Sequence, residues 1–218
     1  MSRSAGISQR RVCIIGLGNV LLGDDGFGPF VVEKFRCEYA YDANVEVLDL
    51  GTPGLDLAPY LHGKDVIVIV DAVHSDDDPG TLRLYDETDF WDHRVMLRLS
   101  GHDPGVEQCL AQLKLAGHAP SQVIIVGVVP ESCVLGKGFS GAVLAAVTPA
   151  VERIAAFLCE LDVPCWPRVA RERPNLWWEA FLPTESLPQP QAGTHRAWEV
   201  WGSNRSGARS PGTRFRKP

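Results

Sequence analysis

Apolar positions along the chain fall into short unbroken runs separated by stretches of helical spacing. Residues 12–15, 45–50, 65–73 and 122–129 are rich in β-branched side chains and bounded by Gly, Pro or Asp, which predicts strands. The first run and the Val-Ile-Val-Ile-Val centre of the third show no polar alternation, as expected of strands covered on both faces. Helical spacing fills the gaps, over 27 to about 39, 55–61, 105–116 and 140–161; in the last, Leu144, Val147, Val151, Ile154, Ala155, Leu158 and Leu161 share one stripe. Residues 81–85 alternate in polarity after Asp78-Pro79-Gly80 and predict an antiparallel edge strand. The alternation of strand and helix predicts an α/β fold of the phosphorylase/hydrolase-like kind: a mostly parallel twisted sheet of about five strands with helices on both faces, three layers α/β/α.

The pattern collapses after Leu161, where eight of the 16 prolines and five of the six tryptophans are found. One domain over 10–163 and a Pro- and Trp-rich tail over 164–218, largely disordered, are therefore expected. Charge divides at the same place: residues 1–163 carry 12 basic and 23 acidic side chains, residues 164–218 carry 9 basic and 4 acidic. An acidic domain repels phosphate, which argues against nucleic acid as its ligand. No run of about 18 apolar residues and no signal-peptide core is present, so a cytoplasmic protein without a membrane role is expected. The six cysteines form no C-x-x-C pair, and buried reduced thiols are expected of most of them.

Candidate chemistry sits at the strand tips, where open α/β sheets place their ligands. The first strand leads into Gly16-Leu-Gly18-Asn19-Val-Leu-Leu-Gly23-Asp24-Asp25-Gly26. This is no dinucleotide fingerprint: the third glycine of G-x-G-x-x-G is missing, and paired carboxylates stand where a pyrophosphate would meet the helix. The second strand ends in Asp49-Leu50-Gly51-Thr52-Pro53-Gly54 and the third in Val70-Asp71-Ala72. Each aspartate also has a plain reading as a helix or turn cap, but a carboxylate at the end of a strand as apolar as 66–70 needs a partner, a hydrogen bond or a metal. His102, in a polar turn just before the third predicted helix, adds an imidazole. Two carboxylates and one imidazole suit zinc or nickel with positions left open for water or substrate. No G-x-S-x-G elbow is present, and Cys13 lies inside the first strand, so a serine or cysteine nucleophile is not expected.

Taken in order, Gly16 to Gly26, Asp49-Leu-Gly-Thr52-Pro-Gly54, Val68-Ile-Val-Asp71-Ala72, Ser100-Gly-His102 and Val126-Gly-Val-Val-Pro-Glu-Ser132 resemble the nickel-iron hydrogenase maturation endopeptidases over residues 10–163. The resemblance implies that Asp25, Asp71 and His102 are metal ligands. It implies a protease that removes a C-terminal extension from the hydrogenase large-subunit precursor once nickel has been inserted. The metal is then the nickel of the substrate, and zinc or another divalent ion fits the same donors in the resting site. A monomer is implied for the free enzyme. Two departures stand out: Leu50 occupies a position that is small in many members, and the basic, Trp-containing tail has no counterpart in the compact ones.

Amide hydrolysis needs an activated water, a stabilised oxyanion and a proton for the leaving nitrogen. Asp25, Asp71 and His102 are the candidates for the first two through a bound metal, and Asp49, or alternatively Asp24, for the third. Metal-hydroxide attack and a metal that only positions the substrate both remain open, as does the family's aspartic-type label. The competing reading from another class is a nickel-dependent chaperone or scaffold that holds the large subunit without cutting it. An acid endopeptidase resembling the spore proteases would use the same carboxylates, but the ordered motifs favour the hydrogenase family.

Overall fold

Strand β1, Val12–Leu17, is buried along its whole length, as an unbroken apolar run requires in the middle of a sheet covered on both faces. A 3-10 turn at Gly23–Gly26 leads into helix α1, Phe27–Glu38, then strand β2, Tyr39–Tyr41, and strand β3, Val45–Gly51. A second 3-10 turn, Gly54–Leu57, runs into the one-turn helix α2, Ala58–Leu61. Strand β4, Val66–His74, is followed by strand β5, Leu82–Asp86, helix α3, Glu87–Trp91, and the two-residue strand β6, Met96–Leu97. Helix α4, Gly105–Leu115, strand β7, Gln122–Val128, helix α5, Gly141–Glu160, and strand β8, Cys165–Pro167, complete the order. The computed structural model describes residues 10–91, 96–97, 105–169 and 174–178.

The main sheet runs β3-β1-β4-β7-β5, with β6 added beside the end of β4. β3, β1, β4 and β7 are mutually parallel, and β5 is antiparallel to β7, so the expected parallel sheet with one antiparallel edge is what forms. Side-chain alternation divides the core in two. Val12, Ile14, Val68 and Val70 pack with residues of α1 and α5 on one face, and Cys13, Ile15, Ile67 and Ile69 pack with Leu61 of α2 and with α4 on the other.

Helix α1 starts directly on the tips of β1 and β4. A Cβ at Gly28 would lie 2.2 Å from the Val70 carbonyl oxygen and 2.3 Å from that of Leu17, and one at Gly16 would lie 2.5 Å from the Gly28 oxygen. Only a glycine pair lets helix and strand backbones approach this closely. Helix α5 has the length and mean hydropathy, 1.7, of a membrane-crossing segment, but half of that window is buried within the protein; a long core helix shows the same composition. Val143, Val147, Val151, Ile154 and Leu158 carry its buried stripe.

The packed structure extends past the boundary expected at residue 163. β8 pairs antiparallel with β2, the Arg168 amide donates to the Glu38 carbonyl at 2.7 Å, and the Arg168 guanidinium donates to the carbonyls of Arg36 at 3.1 Å and Tyr39 at 3.0 Å. A cation there meets the negative end of the α1 dipole. The Asn175 amide donates to the Glu33 carboxylate at 2.9 Å, and Trp178, 2 % exposed, enters the α1–α5 core. Three-residue strands carry too little periodicity to be legible, and proline-rich composition masked one buried indole. Residues 179–218, with Trp198 and Trp201, lie outside the described residues.

Trp178→Ala should cost about 3 kcal/mol of stability, as expected for deleting a buried aromatic; urea unfolding measures it, and an unchanged midpoint would mean that the indole contributes no packing.

Candidate active site

At the carboxyl edge of the sheet, β1 is followed by Gly18 with φ +126°, a conformation that excludes most side chains. A Cβ there would lie 1.8 Å from the Asp25 carbonyl oxygen and 3.6 Å from Asp71 Oδ1. One bare backbone position thus brings the Asp24–Asp25 turn and the end of β4 to the same point. Gly18 is held in turn by its amide, which donates to the Gly51 carbonyl of β3 at 2.9 Å.

Asp25 is buried, and its Oδ2 accepts from the Asn19 amide at 2.8 Å. The Asn19 side chain turns the loop by accepting from the Leu21 amide at 3.0 Å, an Asx turn. Asp25 therefore serves its own loop, and α1 receives no side-chain cap. Asp71 is fully buried, and its Oδ1 accepts from the adjacent Ala72 amide at 2.7 Å, so it caps no helix. By alternation Asp71 shares the α2–α4 face with Ile67, Ile69 and Val73.

Asp24 behaves differently from its neighbour. Fully buried, its Oδ2 accepts from the amides of Glu131 at 2.8 Å and Ser132 at 2.9 Å, and its Oδ1 accepts from the Ser140 amide at 2.7 Å. Both oxygens are committed to the loop between β7 and α5, which makes Asp24 a pin and argues against the alternative of a proton shuttle. The Val-Val-Pro-Glu-Ser motif supplies two of these donors, and Ser140, the N-cap of α5, the third. The motif's sequence carries no sign of the partnership, because backbone amides belong to any residue type.

Asp49 stands apart. Its Oδ1 accepts from the Gly51 amide at 3.1 Å, and alternation places it with Val45 and Val47 on the α1 face. Burial raises its pKa above the ordinary aspartate value; the Gly51 hydrogen bond and the Arg36 charge act in the opposite direction, and the charge of Glu33 adds to the rise. The structure therefore does not place the Asp49 carboxylate on the Asp71 face of the sheet. Leu50 points to the α2–α4 core, so its bulk is absorbed away from the strand tips. Cys13 is buried in β1, its thiol pushed up to about 12 chiefly by desolvation, as befits an inert core residue. His102 lies outside the described residues, but the chain on either side of it is placed: Leu97 pairs with Val73, two residues beyond Asp71, and α4 begins at Gly105 on the Asp71 face.

The model of the hydrogenase maturation protease family matches residues 29–157. The hydrogenase 2 maturation protease of Escherichia coli is 33 % identical over 161 residues, 73 % of this chain and 98 % of that protein. The chain belongs to the hydrogenase maturation protease family. The solved structure of the hydrogenase maturating endopeptidase HybD from Escherichia coli superposes with a TM-score of 0.66 at 32 % identity, covering 72 % of this chain and 98 % of that one. The hydrogenase expression/formation protein HoxM of Cupriavidus necator is 29 % identical over 94 % of this chain and 97 % of its own length. That match reaches into residues 164–218, so the C-terminal segment of this protease has a counterpart in at least one relative.

Two outcomes follow from the geometry of this protease. Asp24→Asn turns an NH2 group toward backbone donors and should cost about 2 kcal/mol, read by chemical denaturation; a loss below about 0.5 kcal/mol would mean that the three bonds do not pin the loop. For Asp49, a folded pKa above the unfolded one means that the native state binds the proton more tightly, so stability is lost as pH rises through that window. Asp49→Asn should therefore be more favourable relative to the wild type at pH 7 than at pH 3, and a pH-independent difference would contradict the desolvation of this group.

Proposed function

We propose that this protease removes the C-terminal extension of a nickel-iron hydrogenase large-subunit precursor after nickel insertion, at a metal-dependent centre made by Asp25, Asp71 and His102. The observation that carries the reading is that Gly18 lies against both the Asp25 backbone carbonyl and the Asp71 carboxylate, which sets the paired-acid turn beside buried Asp71. The donor types fit: two carboxylates supply hard oxygens and His102 a nitrogen, a set suited to nickel, zinc or another divalent ion. Leu97 and Gly105, which flank the His102 segment, both support its approach from the Asp71 side. The nickel is cargo of the precursor, and when present it polarises the scissile carbonyl.

The chain's own groups supply the rest. Buried Asp25 and Asp71, each held by a backbone amide, are acceptors already oriented and desolvated before substrate arrives, so little reorganisation remains to be done during the reaction. Asp49 is assigned the proton for the leaving nitrogen on the strength of its raised proton affinity, which requires that nitrogen to lie on the α1 side of the strand tips. The acidic domain supports a protein substrate over nucleic acid. The same reading makes the protease a cytoplasmic enzyme that is monomeric when free.

Incubating the protein with nickel-loaded precursor should produce a single C-terminal mass loss by intact-mass measurement. Asp25→Ala, His102→Ala or a nickel-free precursor should each abolish it. Tight precursor binding without any mass change would instead support the nickel-dependent chaperone.

A further inference from the structure

The loop between β7 and α5 is built onto the Asp24–Asp25 turn more firmly than a connection requires. Besides the three bonds to Asp24, the Asp24 amide donates to the Ser132 carbonyl at 3.0 Å and the Gly136 amide donates to the Leu21 carbonyl at 2.9 Å. Gly23, at φ +60°, comes so close that a Cβ would lie 2.7 Å from the Ser132 oxygen. Phe139 stacks on Phe30 of α1 with ring centroids 5.3 Å apart, and a Cβ at Gly26 would lie 3.2 Å from its ring. The loop is anchored at both ends and at its middle.

Between the exposed Glu131 and Lys137, this anchored loop presents two adjacent apolar residues. The Lys137 amide donates to the Val134 carbonyl at 3.1 Å, and Gly136 has φ +73°, which defines a β-turn with glycine at its third position, the arrangement of type II. Leu135, at the second position, is 71 % exposed, and Val134 is 57 % exposed. Single exposed apolar residues are ordinary, but two adjacent ones on a rigid turn, hydrogen-bonded to the loop that carries Asp25, form a fixed knob at the carboxyl edge of the sheet. A polypeptide whose scissile bond lies at Asp25 and Asp71 must pass over the loops bordering that point.

We propose that Val134 and Leu135 form a substrate-recognition knob that receives apolar side chains of the precursor next to the scissile bond, and that Asp24 is the positioning residue holding this knob in register with Asp25. The proposal rests on the protease reading above. The knob contacts substrate without touching the reacting atoms, so it governs KM. The pin sets where the knob stands relative to the centre, so its loss affects kcat as well, because a cleaved bond held out of place reacts slowly.

The test measures kcat and KM for cleavage of nickel-loaded precursor by the wild type, Val134→Ser/Leu135→Ser, Leu135→Met and Asp24→Asn. The double serine variant should raise KM about tenfold with kcat kept within about twofold, the size expected for an apolar anchor; Leu135→Met should retain wild-type KM. Asp24→Asn should lower kcat as well as raise KM at temperatures where circular dichroism shows it folded. A double serine variant with wild-type KM would overturn the knob while leaving the protease reading intact, and an unchanged kcat in folded Asp24→Asn would overturn the positioning role. A wild type that binds precursor but never cleaves it would remove the protease reading and this inference together.

Discussion

Buried carboxylates must find donors, and much of the candidate site follows from how Asp24, Asp25 and Asp71 do so. An ionised acid withdrawn from water without compensation is prohibitively costly, so each buried aspartate organises the backbone around it. Asp71 takes the next amide of its own strand, Asp25 takes an amide of its own loop, and Asp24 takes three amides from a loop more than 100 residues away. The first two bonds fix each side chain on its own segment; the third set ties the Asp24–Asp25 turn to the loop between β7 and α5. A glycine at position 18 is the steric condition for all of it, since any side chain there would collide with the Asp25 carbonyl.

The fold places this cluster where a parallel sheet gathers its loops. β1 and β4 are adjacent central strands, so their carboxyl ends lie side by side, and the close Gly16–Gly28 contact lets α1 begin immediately above them. β7 lies next to β4, which brings the loop that follows it to the same edge. Family membership and geometry draw on different observations: one on matched sequence, the other on packing.

Long periodic elements were legible because the pattern repeats many times. The four core strands, the antiparallel edge strand and the three longer helices fall within a few residues of expectation. β2, β6 and β8 are two or three residues long, too short for any periodicity, and β8 with Trp178 was hidden in proline-rich composition. Asp25 and Asp71 were legible as candidates because acids at apolar strand ends demand explanation. The role of Asp24 was not, because its partners are backbone amides of Glu131, Ser132 and Ser140, which no side-chain pattern announces. Alternation from Val45 and Val47 does place Asp49 on the α1 face, so its separation from Asp71 was implicit in the strand pattern.

The central claim is that Asp25, Asp71 and His102 converge on one metal position at the strand tips. Crystals of the protein soaked with nickel and measured at the nickel absorption edge test it most directly. The account predicts an anomalous peak within coordination distance of all three side chains, lost in Asp71→Asn. A peak confined to other histidines, such as the His62–His118 pair whose rings lie 4.8 Å apart, with none beside Asp25 and Asp71, would contradict it.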